Sequence, residues 1–343
     1  MSTPHAWLTP AIHPVYARLV GAELSRRGFT EETLLSGTHL TRQMLHNDRR
    51  FLSFAQFRRL VLRAQALTQC PWLGLSVGHS THLAVHGPLG MALMACGTVA
   101  QALLLMQRFA TLRERVAFIE IDNDNDQQLV VVLREELPAV EVREYLLGHV
   151  AAGLLRVLET ISGQDLQAQA HISWPFAEPE WGQVYRDYCP QSSFAVGQLR
   201  IQLPRSLLTC PTLAPDPESY RLALRDCEQQ LKQQQLGSLS LRVQQRLLAC
   251  QGGYPTLEQM AASEHMSPRT LIRHLGDEGG NYQQLLDLVR SELACWLLLQ
   301  TPLSIEAIAE RLGYQDSSNF SRTFRRWLGI TPRDFRQGQP AKS

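Results

Sequence analysis

A chain of 343 residues, 44% hydrophobic and 19% charged, holds enough apolar material for two packed domains, three at most, and leaves no room for extensive disorder. Its formal charge of +1 excludes an acidic tail or a global basic field. No apolar run approaches the ~18 residues of a membrane span, MSTPHAWLTPAIHP lacks the plan of an export signal, and seven cysteines without a C-x-x-C pair suggest reduced thiols in the cytoplasm.

In chain order, the run from Ile12 to Arg27 predicts a helix closed by Gly28, followed by helices at Thr30–Leu35 and from about Ser53. In the last of these Phe54, Phe57, Leu60, Val61 and Ala64 share one face and read as core. Gly87-Pro88 breaks the chain ahead of a helix through Met94, and Gly97-Thr98 caps another from Val99 to Phe109. The period then changes to two: RVAFIEI (115–121) and QQLVVVL (127–133) flank DNDND and predict a β-hairpin. A helix from Glu141 to Ser162 follows, its apolar band wider than one core face needs. We expect some of Leu147, Leu154 and Leu158 to be covered by a second protomer in a homodimer. Strands are expected at 169–174, 194–196 and 199–203. A proline-rich passage leads to a helix that starts at Glu218 and runs into a Gln-rich linker ending at Gly237-Ser238.

The segment from Thr256 to Arg336 is built differently. Thr256 and Gln259 form a capping-box pair that starts a helix with Leu257, Met260 and Ala261 inward. After a turn at Glu264–Met266, Ser267 stands at an N-cap and Pro268 at N1, where its missing N–H costs nothing. Leu271 and Leu275 then turn inward and leave Arg269, Thr270 and Arg273 outward. The plan repeats. Ser304 caps a helix with Ile305, Ile308, Ala309 and Leu312 inside, and Gly313 stops it. Asp316 or Ser317 caps the next, where Phe320, Phe324 and Leu328 face inward and Ser318, Asn319, Arg322 and Arg325 outward. From Leu312 onward six Arg/Lys stand against two acids, the local excess that phosphate contact needs. Between the two units Tyr282–Gln300 has no Gly or Pro. As a helix it spans roughly 28 Å, close to the ~34 Å between successive major-groove faces.

This segment resembles the DNA-binding domain of AraC/XylS-family transcription regulators, through SPRTL, RSELA and IAERLGYQDSSNFSRTFRRWLGITPRDFR. The resemblance implies seven helices, with Arg269, Thr270 and Arg273 on a first recognition helix and Ser317, Ser318, Asn319 and Arg322 on a second. Similar first helices often carry Gln before that last Arg; here Ile272 replaces it, leaving apolar contact with a thymine methyl, or a positioning role. HGPLG and T-x-x-Q-A-L-L-L-x-x-R-F resemble, more loosely, the effector domain of ornithine-utilisation-type members. The expected architecture is therefore an α+β effector-sensing and dimerisation domain, 1–236, and an all-α DNA-binding domain, 237–343. The expected function is a transcription regulator, commonly an activator, that binds promoter DNA, works with RNA polymerase and answers a small amphipathic metabolite. Met91, Met94, Phe109 and Phe118 are expected around an apolar pocket. A constitutive DNA-binding protein whose first domain only dimerises is the alternative.

Other chemistries fit less well. DNDND begins as a calcium loop does, yet Gln127 and Leu133 stand where Gly and Glu are needed. His79, His82 and His86 have no nearby Cys or carboxylate to complete a metal site. DNA-repair methyltransferases share such a DNA-binding domain but need a zinc-held cysteine cluster. Here Cys70, Cys189 and Cys210 each precede proline, and Cys227, Cys250 and Cys295 read as helix packing. We expect neither an enzyme nor a cofactor. Arg326 and Arg336 are open between DNA contact and pairing with acids, and Trp327 reads as core.

Overall fold

The computed structural model describes residues 4–38, 40–46, 51–122, 127–136, 140–250 and 253–337. The chain divides into two compact units. The larger is Ile12–Leu34 with Leu60–Gln234; the other joins Met1–Ala11 and Leu35–Arg59 to Gln235–Ser343. No helix among the described residues is long and apolar enough to cross a membrane.

The larger unit is α+β. Its sheet has the strand order Ala117–Asp122, Gln128–Glu135, Arg200–Pro204, His171–Ser173, Gln191–Ser193. All neighbours are antiparallel except the final pair. The register places Ile121, Val131, Ile201 and Ile172 in one row across four strands, and the second strand is buried on both faces from Leu129 to Leu133. Beside the sheet, helix Arg143–Ser162 approaches Leu73–His79 at backbone distance. Glycine makes this approach feasible. A Cβ on Gly74 would lie 2.1 Å from the Tyr145 carbonyl oxygen, and one on Gly78 2.5 Å from that of His149.

Three expectations need correction. Leu147, Leu154 and Leu158 are 1%, 6% and 0% exposed in the unit's own core. The wide apolar band is therefore already covered on several sides within the protomer. Near Phe194 the edge strand is instead Gln191–Ser193, because Phe194 joins Phe176 and Tyr185 in an aromatic group and Ala195 takes φ 61°. The Gln-rich stretch continues helix Pro217–Leu236. Gln, Leu and Lys are good helix formers, and no breaker intervenes before Gly237, at φ 67°.

In the other unit, seven helices run from Leu239 to Arg336 among the described residues. They enclose two small cores, and helix Tyr282–Gln300 contributes to both. Its Leu285, Leu286 and Val289 enter the first core with Val243, Met260, Leu271 and Leu275. Leu293, Ala294, Leu297 and Leu298 enter the second, with Phe320, Phe324, Leu8 and Ala55.

Candidate nucleic-acid interface

Each helix-turn-helix is fixed by local chemistry. Helix Leu257–Ser263 begins with the full Thr256/Gln259 capping box. The chain leaves it through His265, which takes a left-handed φ of 56° while Met266 N–H donates to the Ala261 carbonyl. The second unit makes the same turn with Gly313, at φ 76°, and Tyr314 N–H donating to the Ala309 carbonyl. Glycine takes this conformation without the Cβ clash that His265 must bear. Glu264 braces the first turn by accepting from Arg242 Nε at 2.8 Å and Arg246 Nε at 2.7 Å. Burial raises its pKa, but the two guanidinium groups outweigh that and hold it below the usual carboxylate range.

The second helices of the two units are Pro268–Asp277 and Ser317–Leu328. Ser267 caps the first, and Asp316 rather than Ser317 caps the second, accepting from Asn319 N–H at 2.6 Å. On the first helix Arg269, Ile272 and Arg273 are exposed and share a face at i, i+3, i+4, with Ile272 52% exposed. Thr270 is half-buried and its hydroxyl lies 2.9 Å from that of Ser267. On the second helix Ser318, Asn319, Arg322 and Arg325 are exposed and Ser317 is half-buried. Phe320, Phe324 and Leu328 fill the core behind them. Arg326 is exposed, whereas Arg336 donates to the carbonyls of Leu298 and Leu303 and locks the last helix to the domain. Trp327 packs against the second core.

A residue that the sequence did not single out holds the two halves together. Arg290, midway along Tyr282–Gln300, lies over the ring of Tyr254 at 4.6 Å and that of Tyr314 at 5.3 Å. These tyrosines precede the first helix-turn-helix and lie in the turn of the second, so one guanidinium touches both. Only the RSELA resemblance marked the neighbourhood.

The remaining candidates fall elsewhere. Met91 and Met94 are 51% and 44% exposed whereas Phe109 is fully buried, so Met91, Met94, Phe109 and Phe118 do not surround one apolar pocket. His79 stands edge-on to Tyr188 and His86 edge-on to Tyr16. Burial lifts the Cys227 thiol to about 11 and that of Cys295 to about 12, which keeps both protonated. The DNDND tip, apart from Asp122, lies outside the described residues.

Comparison with known proteins agrees with this arrangement. Residues 28–212 match the arabinose-binding N-terminal domain of AraC transcription regulators, and residues 260–338 match a helix-turn-helix domain. The chain is 30% identical to the ornithine utilization regulator of Pseudomonas aeruginosa over 98% of this chain and 99% of that one. It is 27% identical to the transcriptional regulator VirS of Mycobacterium tuberculosis, covering 85% and 86% of the two chains. The crystal structure of the regulator CdpR from Pseudomonas aeruginosa aligns with 93% of this chain and 97% of its own at 26% identity, with a TM-score of 0.49. Matched over most of its length by the family's effector-domain and helix-turn-helix models, and end to end by one regulator, the chain belongs to the AraC family of DNA-binding transcription regulators.

Proposed function

We propose that this regulator converts a small-molecule signal, sensed within residues 1–236, into occupancy of two adjacent major grooves by residues 237–343. Arg269, Thr270, Arg273, Ser317, Ser318, Asn319, Arg322 and Arg325 form the DNA surface, and a bound promoter is activated through RNA polymerase. The observation that carries this reading is the paired construction. Two helices with apolar backs and polar, cationic fronts are joined by one helix of 19 residues, about 28 Å long. A homodimer on paired sites would use a surface other than Leu147, Leu154 and Leu158. The aligned ornithine utilization regulator supports a metabolite signal in general terms. Selection from a random duplex library, followed by genome-wide mapping of bound promoters, tests the reading. Enrichment of two short motifs about one helical turn apart supports it. Binding without any enriched sequence overturns it. Selection unaffected by every metabolite tested would favour constitutive binding.

A further inference from the structure

The larger unit gathers polar side chains where helix Val15–Arg26, the His86-Gly87 turn, the Arg113–Glu114 bend and helix Arg143–Ser162 meet. The His149 ring stacks on Tyr145 at 6.1 Å and meets Tyr16 edge-on at 5.4 Å. Tyr16 in turn stands edge-on to His86 at 6.3 Å. Arg113 is buried, and its Nη2 donates to the His86 carbonyl. A backbone bridge between Glu114 and Ile12 places the carboxyl near Tyr16, where it and Arg113 act on the phenol with opposite sign.

Two features separate this cluster from ordinary packing. His149 is 9% exposed and its buried Nδ1 has no hydrogen-bond partner among the described residues, an arrangement that costs free energy unless something completes it. Tyr16, His86 and Glu114 are only half-buried, so the cluster keeps contact with solvent and a small molecule can reach it. Burial lowers the pKa of His149 to about 4; burial, with Arg113 and the neighbouring histidines, lowers that of His86 to about 3. Both imidazoles are therefore neutral at pH 7 and can donate or accept, and Arg113 supplies the permanent positive charge.

We propose that this cluster is the effector subsite and that it binds a small carboxylate-bearing molecule, its carboxylate drawn to Arg113 and hydrogen-bonded by His149 and Tyr16. The proposal rests on the metabolite-responsive reading above and names where that response begins. A carboxylate suits a permanent guanidinium in a partly dry setting, where charge-assisted hydrogen bonds are strongest. Glu114 adds a second discriminating group: an amino acid would present an ammonium to it, and a keto or hydroxy acid would not.

The test is thermal unfolding of the full chain with amino acids, hydroxy acids, keto acids and aromatic acids, each beside its primary amide, with DNA selection measured in parallel. At least one carboxylate should raise the unfolding midpoint, and its amide should bind about tenfold more weakly. His149→Gln and Tyr16→Phe should each weaken that response about tenfold, while cooperative unfolding of each variant shows that it is folded. Because Arg113 also holds the His86 carbonyl, these two milder variants carry the test. Equal stabilisation by acid and amide overturns the carboxylate, and an unchanged response in both variants overturns the location. DNA selection with no carboxylate response overturns this proposal alone, whereas loss of DNA selection itself overturns the regulator reading.

Discussion

Ile272 keeps half of its surface in water between Arg269 and Arg273 on the outward face of helix Pro268–Asp277. An isoleucine there cannot hydrogen-bond a base, but it can cover the methyl group that marks thymine in the major groove. Removing one buried methyl costs roughly 0.8 kcal/mol, about a fourfold change in affinity. Replacing thymine by deoxyuridine at the critical position of a selected site should therefore weaken wild-type binding about fourfold and leave Ile272→Ala indifferent. If both proteins lose affinity equally, Ile272 does not read that methyl. Arg322, exposed on the second helix, should behave differently. Arg322→Ala is expected to cost ~1–3 kcal/mol on the selected site and to relax preference at one base pair. Equal weakening on random DNA would make it a phosphate contact. The caps that aim these side chains, at Thr256, Ser267 and Ser304, were legible in the sequence because a cap is a contact between residues three apart, whereas the fourth, at Asp316, stayed open between Asp316 and its neighbour Ser317. The His149 cluster was not legible, because its members lie on four separate stretches and no local pattern links Tyr16, His86, Arg113 and His149.

At the scale of elements, Tyr282–Gln300 acts as a spacer only if each helix-turn-helix is fixed to it. Most of that attachment is apolar and divided between two cores; Arg290 spans the division by lying over Tyr254 and Tyr314. Each cation–π contact is worth about 0.5–2 kcal/mol, depending on desolvation. Arg290→Met keeps the length of the side chain and removes its charge. It should lower affinity for the preferred site a few-fold and blunt the penalty for sites whose half-sites are moved apart by one base pair. Fluorescence anisotropy on such a series checks this, and an unaltered spacing penalty would remove Arg290 from the positioning role. The spacer itself was legible, since an apolar run without Gly or Pro predicts a helix. Helix Leu73–His79 went unread: its Gly74 and Gly78 lower helix propensity locally, and their use, the close approach of Arg143–Ser162, lies about 70 residues away in sequence.

At the scale of the whole molecule, sequence order is a poor guide to what packs together. Arg59 and Glu292 are separated by 233 residues yet form a bidentate pair, at 3.0 and 2.5 Å, with side chains 11% and 5% exposed. Removing one partner of such a pair leaves a buried charge and costs about 3–5 kcal/mol, whereas replacing both by apolar residues is often nearly neutral. Glu292→Ala should thus lower stability to urea strongly, and Arg59→Met with Glu292→Met should recover most of the loss. A double variant as unstable as the single one would contradict this account. A fragment beginning at residue 237 retains Glu292 without Arg59 and should share the defect.

Acidification should expose the polar cluster of the larger unit as a source of instability. The folded-state pKa of His149 is lowered by burial to about 4, against ~6.5 in an unfolded chain. Its contribution is complete above the unfolded value and is lost as pH falls towards 4, because the unfolded state then binds the extra proton. Glu114 works in the opposite sense: burial raises its pKa to about 7, so its contribution is complete below ~4.5 and is lost as pH rises through 7. His86, lowered to about 3, acts with His149, and the two histidines outnumber the single carboxyl between pH 4.5 and 6.5. The full chain should therefore lose stability on acidification across that window. His149→Gln should flatten the acid limb by up to roughly 3 kcal/mol, at 1.36 kcal/mol per pKa unit. Glu114→Gln should gain stability above pH 7 and leave the acid limb steep. Denaturant unfolding from pH 4 to 8 measures all three. An acid limb equally steep in wild type and His149→Gln would mean that the imidazole does not titrate as its burial dictates.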